Sequence, residues 1–327
     1  MRVVTMKSVF SFFAFTALIG GLAVPHAAAD DAVSVRLKWI PQFQFAGYYV
    51  AKDKGFYADA DLDVTINPGG PDLSARATVA SGADEFGVGS SGDFYVAADR
   101  GLILTGLLAV FQRSASGYMV MADSGIEGPA DFAGKTVAVD YGQLNEVQYR
   151  VMLEKAGVDQ DGIREVKSQL NLAPFFQGRV DVWPIYISNE PFLAEQEGFD
   201  VDVIRPSNHG VAFYGDTLFA KASYVSDNPE ITRRFVQATR QGWIYTRENP
   251  DEAQAIVAGY SDKDPDHLAF EAKQILSLIE SEATREHGLG WQDPARYRYE
   301  RDTLLEYDMI ETKTPVDQVM SNEFLGS

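Results

Sequence analysis

Five aromatic residues, Trp39, Phe43, Phe45, Tyr48 and Tyr49, fall within eleven positions, interleaved with the amides of Gln42 and Gln44. Aromatic faces bind flat rings by stacking, and carboxamides supply both donors and acceptors. The segment follows an apolar run, Val33 to Leu37, and enters a helix that Gly55-Phe56 ends. Such strand-to-helix turns are where an α/β sheet presents ligands. The helix also needs core residues of its own. Tyr49, Val50 and Phe56 are assigned to that core, and Trp39, Gln42, Phe45 and Tyr48 to a site.

A second constellation is Trp183-Pro184-Ile185-Tyr186-Ile187-Ser188-Asn189-Glu190-Pro191. Trp183 and Tyr186 are large aromatics at an expected strand end, and Asn189-Glu190 precede a proline suited to a first helical turn. The pair can serve as a simple cap. A carboxylate beside two aromatics also suits a ring whose nitrogen and exocyclic amine present donors, because it accepts two such bonds.

Three further turns offer polar groups. Gly87-Val88-Gly89-Ser90-Ser91-Gly92-Asp93 joins a strand to a helix; Ser90 and Ser91 can donate hydroxyls or cap the helix. In Asp140-Tyr141-Gly142-Gln143-Leu144-Asn145-Glu146, Tyr141 can stack, and Asn145 can bind or cap. In Asn208 to Thr217, Tyr214 and Asp216 are candidates, with a purely structural role equally open.

Much chemistry is unsupported. The chain has no cysteine, hence no thiolate ligand or nucleophile. The four histidines, His26, His209, His267 and His287, show no metal-ligand spacing. No Gly-Lys-Ser/Thr phosphate loop and no G-x-S-x-G elbow occurs. A formal charge of −19, from 28 basic and 47 acidic residues, disfavours nucleic acid and anionic lipid as partners.

The elements that must position these residues alternate between strand and helix. Strands are expected at Val33–Trp39, Leu62–Ile66, Glu85–Gly89, Leu102–Val110, Tyr118–Met121, Thr136–Val139, Glu165–Lys167, Asp181–Trp183 and Val201–Ile204. Helices are expected between most of them, and from about Asn228 onward the chain reads as helical. The alternation argues for parallel sheets built from βαβ units. Met1 to Ala29 has a basic start, an uncharged run from Ser8 to Val24 and small residues at Ala27-Ala28-Ala29. This is the pattern of a signal peptide, residues 1–29, with cleavage expected near Ala29. No lipobox cysteine is present, so an unanchored periplasmic protein is expected.

The stretch Lys38 to Tyr57, the Pro68-Gly69-Gly70 turn and Trp183 to Glu190 resemble periplasmic solute-binding proteins of ABC importers. The likeness is to the branch of thiamine-pyrimidine (hydroxymethylpyrimidine) binding proteins and synthases, related to sulfonate, nitrate and taurine binders. It implies an α/β fold of the two-lobed periplasmic-binding-protein (type II) architecture, with a ligand cleft between the lobes. Lobe one would comprise residues 30–116 and a mostly helical return, 218–327; lobe two would be 117–217. The crossings would fall near Gly117–Met119 and Val211–Thr217. Glu190 would be the polar anchor for a thiamine-precursor aminopyrimidine, with riboflavin or a sulfonate- or nitrate-type anion as alternatives. The partners implied are a small-molecule ligand and importer membrane subunits, with the binder acting as a monomer without a cofactor. The synthase branch uses pyridoxal phosphate, iron and one of its own histidines. Its histidine aligns with Phe45, its cofactor lysine falls near Pro41, and its cysteine-rich iron motif has no counterpart. These departures argue against an enzyme.

Overall fold

A computed structural model describes Met1 and residues 30–326. The expected signal peptide therefore lies outside the described residues, apart from Met1.

Strand β1 (Asp31–Arg36) buries Val33 and Val35 on one face and leads into a short 3-10 turn, Phe43–Phe45. Helix α1 (Ala46–Asp53) follows directly. The first half continues as β2 (Leu62–Asn67), α2 (Ala75–Ser81), β3 (Phe86–Ser90), α3 (Ser91–Asp99) and β4 (Leu104–Ala109). The second sheet region holds β5 (Ser116–Met121), β6 (Thr136–Val139), α4 (Leu144–Lys155), β7 (Arg164–Lys167), α5 (Ala173–Phe176), β8 (Trp183–Tyr186), α6 (Glu190–Gln196) and β9 (Val201–Ile204). The chain returns through β10 (Asp216–Lys221) and α7 (Ala222–Asp227), then α8 (Pro229–Glu248) and α9 (Pro250–Ala258). Helices α10 (Pro265–Leu276), α11 (Glu282–His287), α12 (Pro294–Glu306) and α13 (Val316–Val319) complete it.

The first sheet has the order β2-β1-β3-β10-β4. Its β2, β1 and β3 run parallel, whereas β10 is antiparallel to both β3 and β4. The second lobe has the antiparallel trio β8-β5-β9 and the parallel pair β6-β7. The expectation of parallel sheets thus holds for only part of the molecule. In the first sheet the departure has a local cause: β10 sits where the sequence reads as a connection, and it inserts between β3 and β4. The chain passes from the first sheet to the second between Ala109 and Ser116 and returns between Ile204 and Asp216. Gly117–Met119, where the first crossing was expected, lies within β5.

Two close approaches hold the first turn in place. Helices α1 and α8 meet through glycines: a Cβ on Gly242 would sit 2.1 Å from the Gly47 carbonyl oxygen, and one on Gly47 2.3 Å from the Trp243 ring. Gly69 packs on the backbone of Leu37, where a Cβ would fall 2.3 Å from its carbonyl oxygen. The Gly69 N–H donates to the Trp39 carbonyl at 2.9 Å. The Pro68-Gly69-Gly70 turn is therefore a brace for Trp39. Among the described residues, no helix is long and apolar enough to cross a membrane.

Candidate functional site

A cleft of about 410 Å³ opens between the two lobes. Sheet polarity explains its location. Parallel β1 and β3 deliver their C-terminal ends to it, and antiparallel β10 delivers its N-terminus, so Asp216 stands opposite Ser90 in the ladder.

Asp216 organises the lobe-one wall. Its carboxylate is buried and accepts from the Lys38 ammonium (3.0 Å), the Tyr186 hydroxyl (3.1 Å) and the Gln44 amide nitrogen (2.6 Å). Because an ionised carboxylate only accepts, Gln44 must turn its NH2 towards Asp216. Its carbonyl oxygen then faces Gln42, whose NH2 donates to it at 2.5 Å. Gln42 Oε1 is left over, buried and without a hydrogen-bond partner among the described residues. The Tyr186 hydroxyl, from lobe two, also accepts from Gln44 at 2.9 Å. Burial and the neighbouring Asp216 carboxylate hold the Tyr186 phenol well above its ordinary pKa, so it stays a donor.

The same logic operates on lobe two. Asn145, in the first turn of α4, donates its NH2 to Asp140 Oδ2 at 2.7 Å. Asn145 Oδ1 is thereby turned away, buried and unpartnered among the described residues, as is Gln148 Oε1 one helical turn on. Glu190 opens α6 and accepts from the Tyr186 backbone N–H (2.8 Å) and the Asn189 side chain (3.0 Å). Burial raises the Glu190 pKa above the usual carboxylate range, while those two donors and Lys263 oppose the shift. The cleft wall thus gathers carboxylates and amides whose oxygens are buried without partners. Its cation, Lys38, is already paired, with Nζ also 3.4 Å from the Ser90 hydroxyl and 5.5 Å from the Tyr186 ring centre.

Of the residues expected at a site, Trp39, Gln42, Ser90, Asn145 and Tyr186 line this cleft. Asn189, Glu190, Tyr214 and Asp216 line it too. Five do not, and each has a packing reason. Phe45 is fully buried in the lobe-one core, and the Tyr48 ring stands edge-on to Trp243 at 6.2 Å. Ser91 points inward and donates to Glu300 at 2.5 Å. Tyr141 is 44% exposed and bonds Glu165 on the outer surface. Trp183 is buried in lobe two, lining an adjoining cavity of about 260 Å³ with Leu170, Asn145 and Glu190. The sequence reading omitted Lys38 and Gln148, and it named Gln44 as an amide without placing it in the site. Lys38 follows the alternating apolar positions Val33, Val35 and Leu37, and that register was the available signal.

The family described as NMT1/THI5 like matches residues 42–253. This chain belongs to the NMT1/THI5-like family. It is 28% identical over 307 residues to the formylaminopyrimidine-binding protein of Halalkalibacterium halodurans, covering 91% of this chain and 93% of that one. It is 24% identical over 306 residues to the riboflavin-binding protein RibY of Chloroflexus aurantiacus, covering 90% and 86%. Among solved structures, it resembles the periplasmic aliphatic sulphonate binding protein SsuA from Escherichia coli, with a TM-score of 0.67 at 17% identity, covering 89% of this chain and 92% of that one. The fold is accordingly that of the periplasmic binding proteins, with two α/β lobes around a cleft.

At the positions where the resemblance would place the synthase groups, Phe45 is a core side chain and Pro41 carries no amine, and the neighbouring Lys38 is ion-paired with Asp216. Among the described residues, no cluster of His, Cys, Asp and Glu side chains could hold a metal ion.

Proposed function

We propose that this protein is an extracytoplasmic substrate-binding protein of an ABC importer. It captures a flat nitrogen heterocycle, of which a thiamine-precursor aminopyrimidine fits best. The observation that carries this reading is a set of unsatisfied acceptors on residues of the cleft wall. Gln42 Oε1, Asn145 Oδ1 and Gln148 Oε1 are buried without partners, and the Glu190 and Asp216 carboxylates stand with them. An orphaned buried acceptor costs roughly 1–3 kcal/mol, which a ligand N–H would recover. An aminopyrimidine supplies such donors from its exocyclic amine, and its faces suit the aromatic surfaces of Trp39 and Tyr186. A sulfonate or nitrate supplies acceptors alone and would meet the Asp216 and Glu190 carboxylates, while the Lys38 ammonium is already paired with Asp216. The 28% identity to a formylaminopyrimidine-binding protein supports the same class. Capture requires lobe closure and no bond breaking, so no catalytic residue is assigned. The protein would act as a periplasmic monomer that hands its ligand to importer subunits.

A flavin is the second reading, favoured by the adjoining cavity beside Trp183, which extends the space available to a longer ring system.

The test is a thermal-shift screen against hydroxymethylpyrimidine, formylaminopyrimidine, thiamine, riboflavin, pyridoxal phosphate, taurine and nitrate. A ligand that binds only the folded state raises the midpoint by mass action. A shift with the pyrimidines and none with the anions is expected. A shift with taurine or nitrate alone would overturn the heterocycle reading, and one with pyridoxal phosphate alone would reopen the synthase chemistry.

A further inference from the structure

Lys263 lies outside the cleft, in the connection between α9 and α10, yet it is tied to both of its walls. Its ammonium forms an ion pair with Glu271 Oε1 at 2.8 Å and hydrogen-bonds with Asn189 Oδ1 at 2.9 Å and His267 Nε2 at 3.0 Å. His267 is held neutral, its pKa pushed down to about 4 by burial and by the Lys263 charge, so its ring nitrogen is free to accept.

An ammonium only donates, so Asn189 must present its oxygen to Lys263. The Asn189 NH2 is then turned onto Glu190 Oε1, at 3.0 Å. The amide is oriented from behind by a charged group, as Gln44 and Asn145 are, but here by a cation. On the other side, Glu271 is fully buried, and its second oxygen accepts the Phe43 backbone N–H at 2.8 Å. Phe43 follows Gln42. One ion pair therefore connects the turn that carries Gln42 with the helix start that carries Glu190. Asn189 and Glu190 belong to lobe two; Phe43, Lys263 and Glu271 belong to lobe one and its return segment. The joint is reinforced by Phe192 of α6, whose ring stacks on His267 of α10 at 4.2 Å.

We propose that Lys263 is a positioning residue that tethers lobe two to lobe one through Asn189, holding the Glu190 carboxylate in register with the Gln42 wall. The ligand role of Glu190 rests on the function proposed above; the tether does not. A bond between Lys263 and Asn189 sets the spacing of the lobes whether or not a ligand is present. It also leaves Glu190 with its rotamer fixed before ligand arrives, which lowers the ordering cost of binding.

The absence of native cysteine makes the test clean. Spin labels at Asp59→Cys on lobe one and Asp161→Cys on lobe two, both exposed positions, report the inter-lobe distance by pulsed electron resonance in the ligand-free protein. Lys263→Met removes the donor. Asn189→Ala breaks the tether while leaving the Lys263–Glu271 pair intact, so it avoids an uncompensated buried carboxylate. Lys263→Arg keeps the charge and donors. The expected result is a shift to longer, broader distances in Lys263→Met and in Asn189→Ala, with Lys263→Arg close to the parent. Superimposable distributions in the parent and both disrupting variants would overturn the tether. A shift in Lys263→Met without one in Asn189→Ala would overturn it too, since the lysine would then act through Glu271 alone. Binding of hydroxymethylpyrimidine to Glu190→Gln is measured separately: unchanged affinity there would count against the site reading and leave the distance result standing.

Discussion

Asn145 donates to Asp140 at 2.7 Å, and that bond decides which end of the amide is left buried without a partner. Asp140 also accepts from the Ser168 hydroxyl, so the acid is held from two sides. With Asp140 replaced by Asn, the partner can both donate and accept, and the Asn145 amide is free to reverse. Asp140→Asn should weaken aminopyrimidine binding about tenfold, the equivalent of ~1.4 kcal/mol, without touching the ligand. Isothermal titration calorimetry reads the effect, and an unchanged Kd would show that Asn145 Oδ1 does not meet the ligand.

The Lys38–Asp216 pair keeps the cleft cation occupied. Asp216→Asn removes the negative partner, leaves Lys38 free and lets Gln44 reverse. Aminopyrimidine affinity should fall by at least tenfold, as for truncation of a central buried contact. Taurine, expected to give no shift with the parent protein, should now raise the melting midpoint. Failure of taurine to bind the variant would mean that anion exclusion does not depend on this pair.

Glu300 provides a pH prediction. It is fully buried on α12 and accepts from the Ser91 hydroxyl (2.5 Å) and the Tyr214 backbone N–H (2.6 Å). Burial pushes its pKa up from 4.5 to about 7, with both donors and Arg296 opposing the rise. The folded state therefore keeps the proton to higher pH than the unfolded chain does. The contribution of this group is full below pH 4.5 and is lost as pH rises through about 7. Glu300→Gln carries no such titration, and its amide can accept from Tyr214 while donating to Ser91. The variant should gain on the order of 3 kcal/mol relative to the parent between pH 4.5 and 8. Urea unfolding at the two pH values checks this; parallel pH dependences would mean that Glu300 titrates normally.

The contact between α1 and α8 leaves no room for a methyl group, since a Cβ on Gly242 would lie 2.1 Å from backbone. Gly242→Ala should destabilise by about 3 kcal/mol, the upper part of the usual overpacking range. Ligand affinity should fall with it, because α1 anchors the turn that carries Gln42 and Gln44. Chemical denaturation combined with a thermal-shift titration separates the two effects, and a parent-like midpoint would imply that the helices separate at little cost.

Most strands and helices were legible from apolar periodicity, although the strand expected at Asp181–Trp183 runs instead as β8 from Trp183 to Tyr186. β10 was not, since Asp216 at its start and Lys221 at its end mask a short apolar centre that is buried only through its two neighbours. Of the rings in the aromatic-rich turn that were assigned to a site, Trp39 lines the cleft, whereas Phe45 and Tyr48 do not. The 3-10 turn Phe43–Phe45 shifts the register ahead of α1, so Phe45 and Tyr48 fall on the core side while Gln42 and Gln44 reach the cleft. Adjacent Ser90 and Ser91 diverge for a similar reason: they straddle the end of a strand and the start of a helix, and only Ser90 reaches the cleft. Lys38 and Asp216 are 178 residues apart, and no local pattern reveals that they form a pair.

Asn145 and Asn189 on the cleft wall take their direction from charged groups that do not line that cleft, Asp140 and Lys263. Ligand preference in this protein is therefore partly written in residues that a ligand never meets. A lineage could exchange a donor-rich ring for an acceptor-rich one while every Gln and Asn of the cleft wall stayed the same. Two relatives with identical linings could then differ in diet, and inheritance of ligand choice would be traced better through the supporting acid and the lysine than through the visible wall.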